Sequence, residues 1–373
     1  MAIAILYREE LKEYDFGLGH PFRGGRYDIF PPFLRKNLSE DDNYRIIKAE
    51  PVGDEDLLRI CQKDYINFTR KYYRTANLGV DWDYSSSFYK NIRKHQSLDN
   101  RANSGSGKLE EAARLIVGQG KLAADLVCSG KFEKAVSIGG GMHHARKNYG
   151  EGFCLYNDIA FIAKYLIENY GLERILILDT DAHAGNGTSE YFDADSKVLF
   201  IDMHQDPRTV YPGTGFAQDM GSGEGTGFTI NIPLPTDAGY DSYQLVFEQI
   251  IEPLAEEFKP QLIIRYGGSD PHFGDPLTSL GLPVRGFRMI GEKVRKMAES
   301  CQGKLIDAIG SGYNQDVLPY AWLALISGLA DFPVKPIEPV SIPQRFQEDP
   351  SLEETKKVVI QVKNYAKHYW QYL

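Results

Sequence analysis

Residues 175–187 combine a strand-like run with side chains that commonly bind metal ions. Residues 175–178 are four consecutive apolar residues, which predict a strand buried on both faces, as in parallel sheets. Asp179, Asp181 and His183 follow at alternate positions, so their side chains project to one side of an extended chain. Carboxylates and imidazoles are ordinary zinc ligands, and a site with few protein ligands leaves a position open for water. The alternative is a purely structural role, in which the segment is a surface turn whose aspartates cap the next helix.

Two adjacent histidines, His143 and His144, follow a second predicted strand at 134–138 and a run of three glycines. Neighbouring residues on a strand point to opposite faces, so the pair cannot fill one core face, and its position favours a catalytic role. Each imidazole needs a partner on its second nitrogen. We expect Asp179 to hold His143 and Asn186 to hold His144.

A third predicted strand, at 261–266, leads into a loop that carries more candidate ligands. Asp270 follows this strand as Asp181 follows the strand at 175–178, which makes Asp270 the natural third metal ligand. His272 and Asp275 lie in the same loop and could compete, but we interpret them as structural residues of the turn.

Tyr313 follows the strand predicted at 304–309 and lies in a glycine-rich turn. A tyrosine held at a strand end could donate its hydroxyl to a reacting carbonyl. Considered alone, it would be a packed aromatic residue.

The elements that must position these side chains alternate as strands and helices along most of the chain. Strands are predicted at the N-terminus and at 44–49, 134–138, 175–178, 197–202, 228–233, 261–266 and 304–309. Helices are predicted near residue 33 and at 54–70, 108–128, 156–170, 188–192, 240–258 and 286–300, and at 314–329 with an interruption at Pro319. This order predicts an α/β fold with about eight mainly parallel strands in one sheet and helices on both faces. Ligands of such sheets bind beyond the carboxyl ends of the strands.

The domain organisation follows from where this alternation stops. We expect a single catalytic domain over residues 1–330, followed by a Pro-rich segment and a C-terminal helix over 331–373 that pack on it. Residues 79–107 show no clear period, and a loop of that length is usually a functional rim or lid.

The composition excludes several classes of protein. The net charge of −9 argues against nucleic-acid binding, which requires a basic face, and no run of about 18 apolar residues predicts a membrane span. The four cysteines form no Cys-x-x-Cys pair, and the N-terminus reaches acidic residues too soon for a signal peptide. We therefore expect a reduced, cytoplasmic protein.

Seven motifs in order carry a resemblance to a known family. They are Gly-His-Pro at 19–21, Gly-Gly-Met-His-His-Ala at 140–145, Gly-Phe-Cys-x-x-Asn at 152–157, Asp-x-Asp-x-His at 179–183, Tyr-Pro-Gly-Thr-Gly at 211–215, Gly-Ser-Asp at 268–270 and Gly-Tyr at 312–313. From residue 14 to about 329 the chain resembles the zinc-dependent histone deacetylase superfamily, which includes acetoin-utilisation proteins and acetylpolyamine amidohydrolases. The resemblance implies the arginase-like α/β fold.

The resemblance also implies roles for individual residues. The implied zinc ligands are Asp181, His183 and Asp270. The implied catalytic pair is His143 and His144, with Asp179 and Asn186 as partners. Tyr313 is the implied carbonyl-polarising group, and the implied walls of the acyl-lysine tunnel are Gly152, Phe153 and Tyr211. One zinc ion per chain is implied, with structural potassium near the central loop as an accompanying expectation.

Three positions depart from the family pattern. Ala184 stands where the family usually has a second histidine, so one contact behind the metal ligands is missing. Asn186 stands where many members have aspartate. The acidic rim residue that grips a substrate backbone in some members has only a weak counterpart here, Asp99.

The expected function is that of a zinc amidohydrolase which removes acetyl or related acyl groups from lysine side chains or polyamines. The expected partner is that acetylated substrate, without nucleic acid or membrane, and a homo-oligomer is compatible with the sequence. The alternatives are a binuclear manganese ureohydrolase, which would need further carboxylates where Gly185 and Asn186 stand, and an inactive acyl-lysine or small-molecule sensor, which would need neither Tyr313 nor the two histidines.

Overall fold

One parallel sheet organises the part of the chain that the computed structural model describes, residues 2–76 and 87–373. Its eight strands lie in the order β2-β1-β3-β8-β7-β4-β5-β6. The strands are β1 (Ile3–Leu6), β2 (Tyr44–Ile47), β3 (Lys134–Ile138), β4 (Ile175–Asp179), β5 (Val198–Gln205), β6 (Thr229–Leu234), β7 (Leu262–Gly267) and β8 (Leu305–Ile309). The predicted fold class is confirmed, with every strand pair parallel.

Helices connect the strands and cover both faces of the sheet. They are α1 (Arg26–Asn37), α2 (Asp54–Leu57), α3 (Lys63–Ala76), α4 (Ser87–His95), α5 (Leu109–Cys128), α6 (Asp158–Tyr170), α7 (Asn186–Phe192), α8 (Tyr240–Val246), α9 (Glu252–Phe258), α10 (Val284–Ala298), α11 (Leu318–Ala330) and α12 (Leu352–Ala366). Helix α5 packs on β1 and β3, α10 on β7, and α12 on β6. Among the described residues no helix is both long and apolar enough to cross a membrane.

The four central strands end at one level, which brings their following loops together. Strands β3, β8, β7 and β4 are consecutive neighbours in the sheet. Asp179 at the end of β4 is in register with Tyr266, and Ile309 at the end of β8 is in register with both Gly267 and Ile138. The residues of β4 are fully buried, as its unbroken apolar run predicts.

The prediction of one helix over residues 54–70 is wrong, because two helices, α2 and α3, occupy this region. Between them the backbone N–H of Gln62 donates to the carbonyl of Lys147, 2.8 Å away in another segment. This tertiary bond uses a donor that a continuous helix would direct to its own preceding turn.

The predicted interruption of the helix over 314–329 at Pro319 is also wrong. Helix α11 begins at Leu318, and Pro319 lies in its first turn, where no intrahelical N–H bond is needed. The helix predicted over 240–258 is continuous but contains a wider π turn at Phe247–Ile251, just before Pro253, which cannot donate to the helical ladder.

The segment over 79–107 is not wholly irregular. Residues 79–86 lie outside the described residues, and the rest contains α4 and a 3₁₀ turn at Leu98–Asn100. The C-terminal helix predicted within 331–373 is α12, which ends at Ala366.

Candidate active site

Three side chains from two neighbouring strand ends form a compact group of metal-binding atoms. Asp181 and His183 follow β4, and Asp270 follows β7. Their ligand atoms all lie within 4.8 Å of one another, and in the described part of the chain they form the group suited to a metal ion. The Nδ1 atom of His183 is 3.1 Å from an oxygen of each carboxylate. One nitrogen and two oxygens therefore converge from three buried or nearly buried side chains.

The electrostatics of this group favour a bound cation. Burial alone would lower the pKa of His183, but the carboxylates of Asp181 and Asp270 outweigh it and raise that pKa to about 10. Burial and the charge of Asp181 raise the pKa of Asp270 to about 7. The two carboxylates thus stabilise a positive charge beside them, and a divalent cation can replace a proton among such ligands. The residues present fit a zinc ion with three protein ligands.

Surrounding hydrogen bonds fix the positions of these ligands. The Oγ of Ser311 donates to Asp270 Oδ1 over 2.7 Å, and the backbone N–H of His183 donates to Asp181 Oδ1 over 2.9 Å. The N–H of Asp181 donates to Asp179 Oδ1 over 2.8 Å. Hydrogen bonds within the loops themselves therefore hold the ligand side chains in place.

The two histidines have the partners that their sequence positions predict. His143 Nδ1 lies 2.9 Å from Asp179 Oδ2, and His144 Nδ1 lies 2.7 Å from Asn186 Oδ1. The two imidazole centroids are 4.0 Å apart. One histidine therefore has a carboxylate partner and the other a neutral amide.

This difference in partner acts together with burial on the protonation of the pair. Burial lowers the pKa of His144 well below its usual value, and the nearby charges of His143 and His183 lower it further. Burial also lowers the pKa of His143, but the carboxylate of Asp181 opposes that effect. His144 is consequently the more easily neutral member, which suits a general base.

A loop anchor that sequence analysis missed holds the histidines in place. Buried Asp158, at the start of α6, accepts hydrogen bonds from the N–H groups of Gly141 (3.0 Å) and Met142 (2.8 Å). Burial raises the pKa of Asp158 to about 6 despite those bonds. Asn157 caps α6 through Ala160 N. The sequence shows Asn157 and Asp158 at the start of α6. From the sequence alone, however, such a pair predicts only capping of the helix and not the bonds to the glycine-rich loop.

Tyr313 faces the same cavity as the metal group and the histidines, which lies between the loops and measures about 30 Å³. Its backbone N–H donates to Asp275 Oδ2 over 2.8 Å, so Asp275 positions Tyr313 and does not join the metal group. Burial raises the pKa of Tyr313 well above its usual value, although the charge of Arg26 opposes the shift. The hydroxyl therefore stays protonated and able to donate.

His272 is likewise placed away from the metal group. Its Nε2 lies 3.0 Å from Glu338 Oε1, and Glu338 also accepts from the N–H of Val284. His272 thus ties the Pro-rich segment to the domain, in agreement with the structural interpretation from the sequence.

The two aromatic residues predicted to form tunnel walls each pack against a residue that lines the cavity. The ring of Phe153 lies edge-on to that of Tyr313, with centroids 5.9 Å apart, and the ring of Tyr211 lies edge-on to His144 at 5.0 Å. Gly152 packs directly under His144, because an added Cβ would come within 2.1 Å of the imidazole Cδ2. Gly152 also has φ of +58°, which favours glycine.

Asp99 lies beside this wall, but its carboxylate already has partners in the chain. Its Oδ2 accepts from Gly152 N over 3.1 Å, and its Oδ1 accepts from the hydroxyl of Ser97. Burial raises the pKa of Asp99. Its backbone carbonyl lies 2.8 Å from His20 Nε2. Asp99 therefore supports the rim, and each carboxylate oxygen retains a further lone pair.

A buried histidine that sequence analysis did not single out, His204, lies near Ala184. His204 on β5 bonds Asp202 Oδ1 (2.7 Å) and the carbonyl of Gly215 (2.9 Å). An added Cβ at Gly215 would contact both His204 and Ala184. Asp202, the partner of His204, also accepts a hydrogen bond from Gly185 N over 2.8 Å, so β5 supports the loop that carries the metal group.

Comparison with known proteins agrees with this arrangement. Residues 20–329 match the family model described as the histone deacetylase domain. The chain is 35% identical over 378 residues to a probable deacetylase of Archaeoglobus fulgidus, covering 100% of this chain and 99% of that protein. It is 33% identical over 335 residues to the acetoin utilization protein AcuC of Staphylococcus aureus, covering 89% of this chain and 82% of that protein.

The fold has a close match among solved structures. The crystal structure of the HDA15 HD domain superposes with a TM-score of 0.81 at 24% identity and covers 100% of this chain and 98% of that one. The sheet and the loops at its carboxyl edge define an arginase/deacetylase-like α/β protein. The family match and the identity to these relatives show that the chain belongs to the histone deacetylase family.

Proposed function

We propose that this protein is a zinc-dependent amidohydrolase that removes an acetyl group from a lysine side chain or a polyamine nitrogen. Membership of the histone deacetylase family and a relative named as a probable deacetylase support the coarser statement that it is a deacetylase enzyme. The observation that carries the finer proposal is that two members of the metal group, Asp181 and His183, line one small cavity together with the histidine pair and Tyr313.

The chain's own residues can perform the steps of amide hydrolysis. Asp181, His183 and Asp270 would hold the zinc ion, and the chemistry that zinc supplies when bound is polarisation of a carbonyl and acidification of water. His144, neutral because of its lowered pKa, accepts the proton of the attacking water at Nε2.

The remaining groups complete the reaction. The Tyr313 hydroxyl donates a hydrogen bond to the oxyanion that develops on the carbonyl oxygen. The imidazolium formed by His144, close to His143, then returns a proton to the leaving amine. Atoms balance because water supplies the hydroxyl of acetic acid and the proton of the amine.

The aromatic side chains beside the site support a narrow, unbranched amine stem. Phe153 and Tyr211 present ring edges and faces beside the catalytic groups, which suits the methylenes of lysine or a polyamine. The cavity at the reacting centre is small, about 30 Å³, and a panel of acyl groups tests which chain lengths it accepts. Asp99, engaged by Gly152 and Ser97, gives weak support for recognition of a peptide backbone.

The rival functions have less support. A binuclear manganese enzyme needs further carboxylates near the first metal, but Asn186 accepts a hydrogen bond from His144 with its amide oxygen and offers no charge there. A sensor would not require Tyr313 with a raised pKa beside a neutral His144.

Metal analysis and a substrate panel test the proposal together. We expect one equivalent of zinc per chain and acetate release from acetyl-lysine peptides or acetylpolyamines, with slower release of longer acyl groups. Two equivalents of manganese with arginine hydrolysis would favour the ureohydrolase, and one metal without any acyl release would favour the sensor.

Two accompanying expectations stay predictions. Potassium near the central loop is supported by excess negative charge, since burial and the charges of Asp202 and Asp181 raise the pKa of Asp179. A homo-oligomer also stays a prediction, which light scattering of the purified protein would test.

A further inference from the structure

Glu151, directly before Gly152, connects the catalytic histidine pair to the tunnel rim. Its Oε1 accepts a hydrogen bond from Asn186 Nδ2 over 3.1 Å. Its Oε2 accepts one from the hydroxyl of Tyr211 over 3.2 Å. The side chain is only 14% exposed. Sequence analysis gave this residue no role, because nothing local links it to residues 35 and 60 positions away.

An ion pair holds the carboxylate of Glu151 in this position. Arg146 Nε donates to Glu151 Oε1 over 2.6 Å. The other end of the guanidinium, Nη1, donates to Glu190 Oε2 over 2.9 Å. Charge-assisted bonds of this kind are short and directional, so Glu151 presents a fixed acceptor to Asn186.

The fixed acceptor determines which way the Asn186 amide faces. An ionised carboxylate can only accept hydrogen bonds, so Asn186 must direct its NH₂ group toward Glu151. Its carbonyl oxygen then faces His144 Nδ1, 2.7 Å away. An amide oxygen can only accept, so Nδ1 of His144 must carry the proton. The lone pair is therefore left on Nε2, where a general base needs it.

We infer that Glu151 is a positioning residue that selects the base-competent tautomer of His144 through Asn186 and restrains Tyr211 at the tunnel rim. This inference rests on the proposed function for its catalytic consequence. The relay of hydrogen bonds from Glu151 through Asn186 to His144 is a property of the folded chain. The tautomer that it selects can be measured without substrate.

The relay also explains why a neutral amide suits position 186 in this chain. An aspartate there would direct a carboxylate oxygen at Glu151 Oε1 across the present 3.1 Å contact. Two carboxylates at that distance repel each other. If residue 151 also became glutamine, the repulsion between two carboxylates would be removed. Its NH₂ group could donate to the new aspartate, provided that Arg146 gave up its bond to residue 151 and kept the one to Glu190.

The tautomer is measured directly on the full-length, metal-loaded protein. Protein labelled with ¹⁵N-histidine distinguishes Nδ1–H from Nε2–H imidazole by nitrogen chemical shift, and the His144 signal is assigned by its loss in His144→Ala. We expect the Nδ1–H form in the wild type and a mixture of both forms in Glu151→Ala, where the Asn186 amide is free to flip.

Turnover on an acetyl-lysine peptide provides the second measurement. Partners that orient a catalytic side chain are worth about 10–100-fold in activity, so Glu151→Ala should lose kcat by that order. Asn186→Asp should also lose activity, and Asn186→Asp combined with Glu151→Gln should recover part of it. Such a rescue requires the direct contact and is not expected from a merely structural role.

Glu190→Gln is the matched control. Glu190 shares Arg146 with Glu151 but contacts neither Asn186 nor Tyr211 in the described structure. The control should therefore keep the wild-type tautomer and turnover.

Two results would overturn the inference: an unchanged His144 tautomer in Glu151→Ala, or a double variant no more active than Asn186→Asp. Failure of the proposed function is distinguishable, since the wild type would then release no acetate while the tautomer measurement stayed readable.

Discussion

The hydroxyl of Tyr313 can be removed with little disturbance to its surroundings. The ring packs edge-on against Phe153 and Phe22, with centroids 5.9 and 6.4 Å away, and phenylalanine preserves both contacts. We predict that Tyr313→Phe keeps its metal content and melting temperature but loses turnover by about 10²–10³-fold, as expected for one oxyanion donor. Steady-state kinetics with metal analysis check this, and near-wild-type turnover would remove Tyr313 from the mechanism.

The partner of His144 controls the acidic limb of the rate–pH profile. Burial, with the charges of His143 and His183, keeps the pKa of His144 well below its usual value, so the base stays neutral into the acidic range. A carboxylate at position 186 would stabilise imidazolium and raise that pKa. In the Glu151→Gln background, Asn186→Asp should move the acidic limb of kcat/KM to higher pH, by roughly one unit for about 1.4 kcal/mol of added interaction.

Glu151→Gln alone is the control for this prediction. It removes a carboxylate without adding one beside the imidazole, so its acidic limb should not move upward. A limb that stays in place or moves down in the double variant, at equal metal content, would contradict the pairing of His144 with residue 186.

At the scale of elements, a buried ion pair joins β7 and β8 beneath the site. Arg265 donates to Asp307 on the neighbouring strand, and both side chains are almost completely buried. Burial raises the pKa of Asp307, although the charge of Arg265 opposes the shift. Arg265 Nη1 also lies 3.4 Å from Thr180 Oγ1, between the two aspartates of the metal loop.

Removal of one partner from such a pair leaves an unpaired buried charge. We predict that Asp307→Ala lowers the free energy of unfolding by about 3–5 kcal/mol. Glu10→Ala, which breaks the exposed pair with Arg8, should change it by less than about 1 kcal/mol. Urea unfolding of both variants checks the contrast, and equal effects would show that burial does not govern the Arg265–Asp307 pair.

At the scale of the whole molecule, the segment over 331–373 is docked by a terminal aromatic residue. Buried Trp370 donates from Nε1 to the carbonyl of Gly227 over 2.7 Å. Its ring packs against Phe228 and Phe258, with centroids 5.4 and 6.2 Å away. These contacts support the proposal that this segment packs on a catalytic domain over 1–330.

Loss of that anchor should destabilise the protein without altering its chemistry. We predict that Trp370→Ala lowers the free energy of unfolding by about 3–5 kcal/mol, with kcat unchanged at temperatures where the variant is folded. Tyr372→Ala, at an exposed position, should stay within about 0.5 kcal/mol of the wild type. A small effect of Trp370→Ala in denaturant unfolding would indicate that the segment folds independently of the domain.

The fold and the core of the candidate site could be predicted from the sequence because both depend on local pattern. Apolar runs such as 175–178 define buried strands, and a parallel sheet places the residues that follow its strands at one edge. Asp181, His183 and Asp270 could therefore be grouped, and the pairing of His144 with Asn186 could be predicted, before any distance was known.

Tertiary structure decided the features that depend on distant partners. The break between α2 and α3 follows from a hydrogen bond to Lys147, and the loop anchor Asp158 and the relay through Glu151 depend on groups brought together by the fold. A carboxylate has the same local signature whether it caps a helix, faces solvent or orients an amide. Only the surrounding donors, fixed by packing of the whole chain, select among those roles.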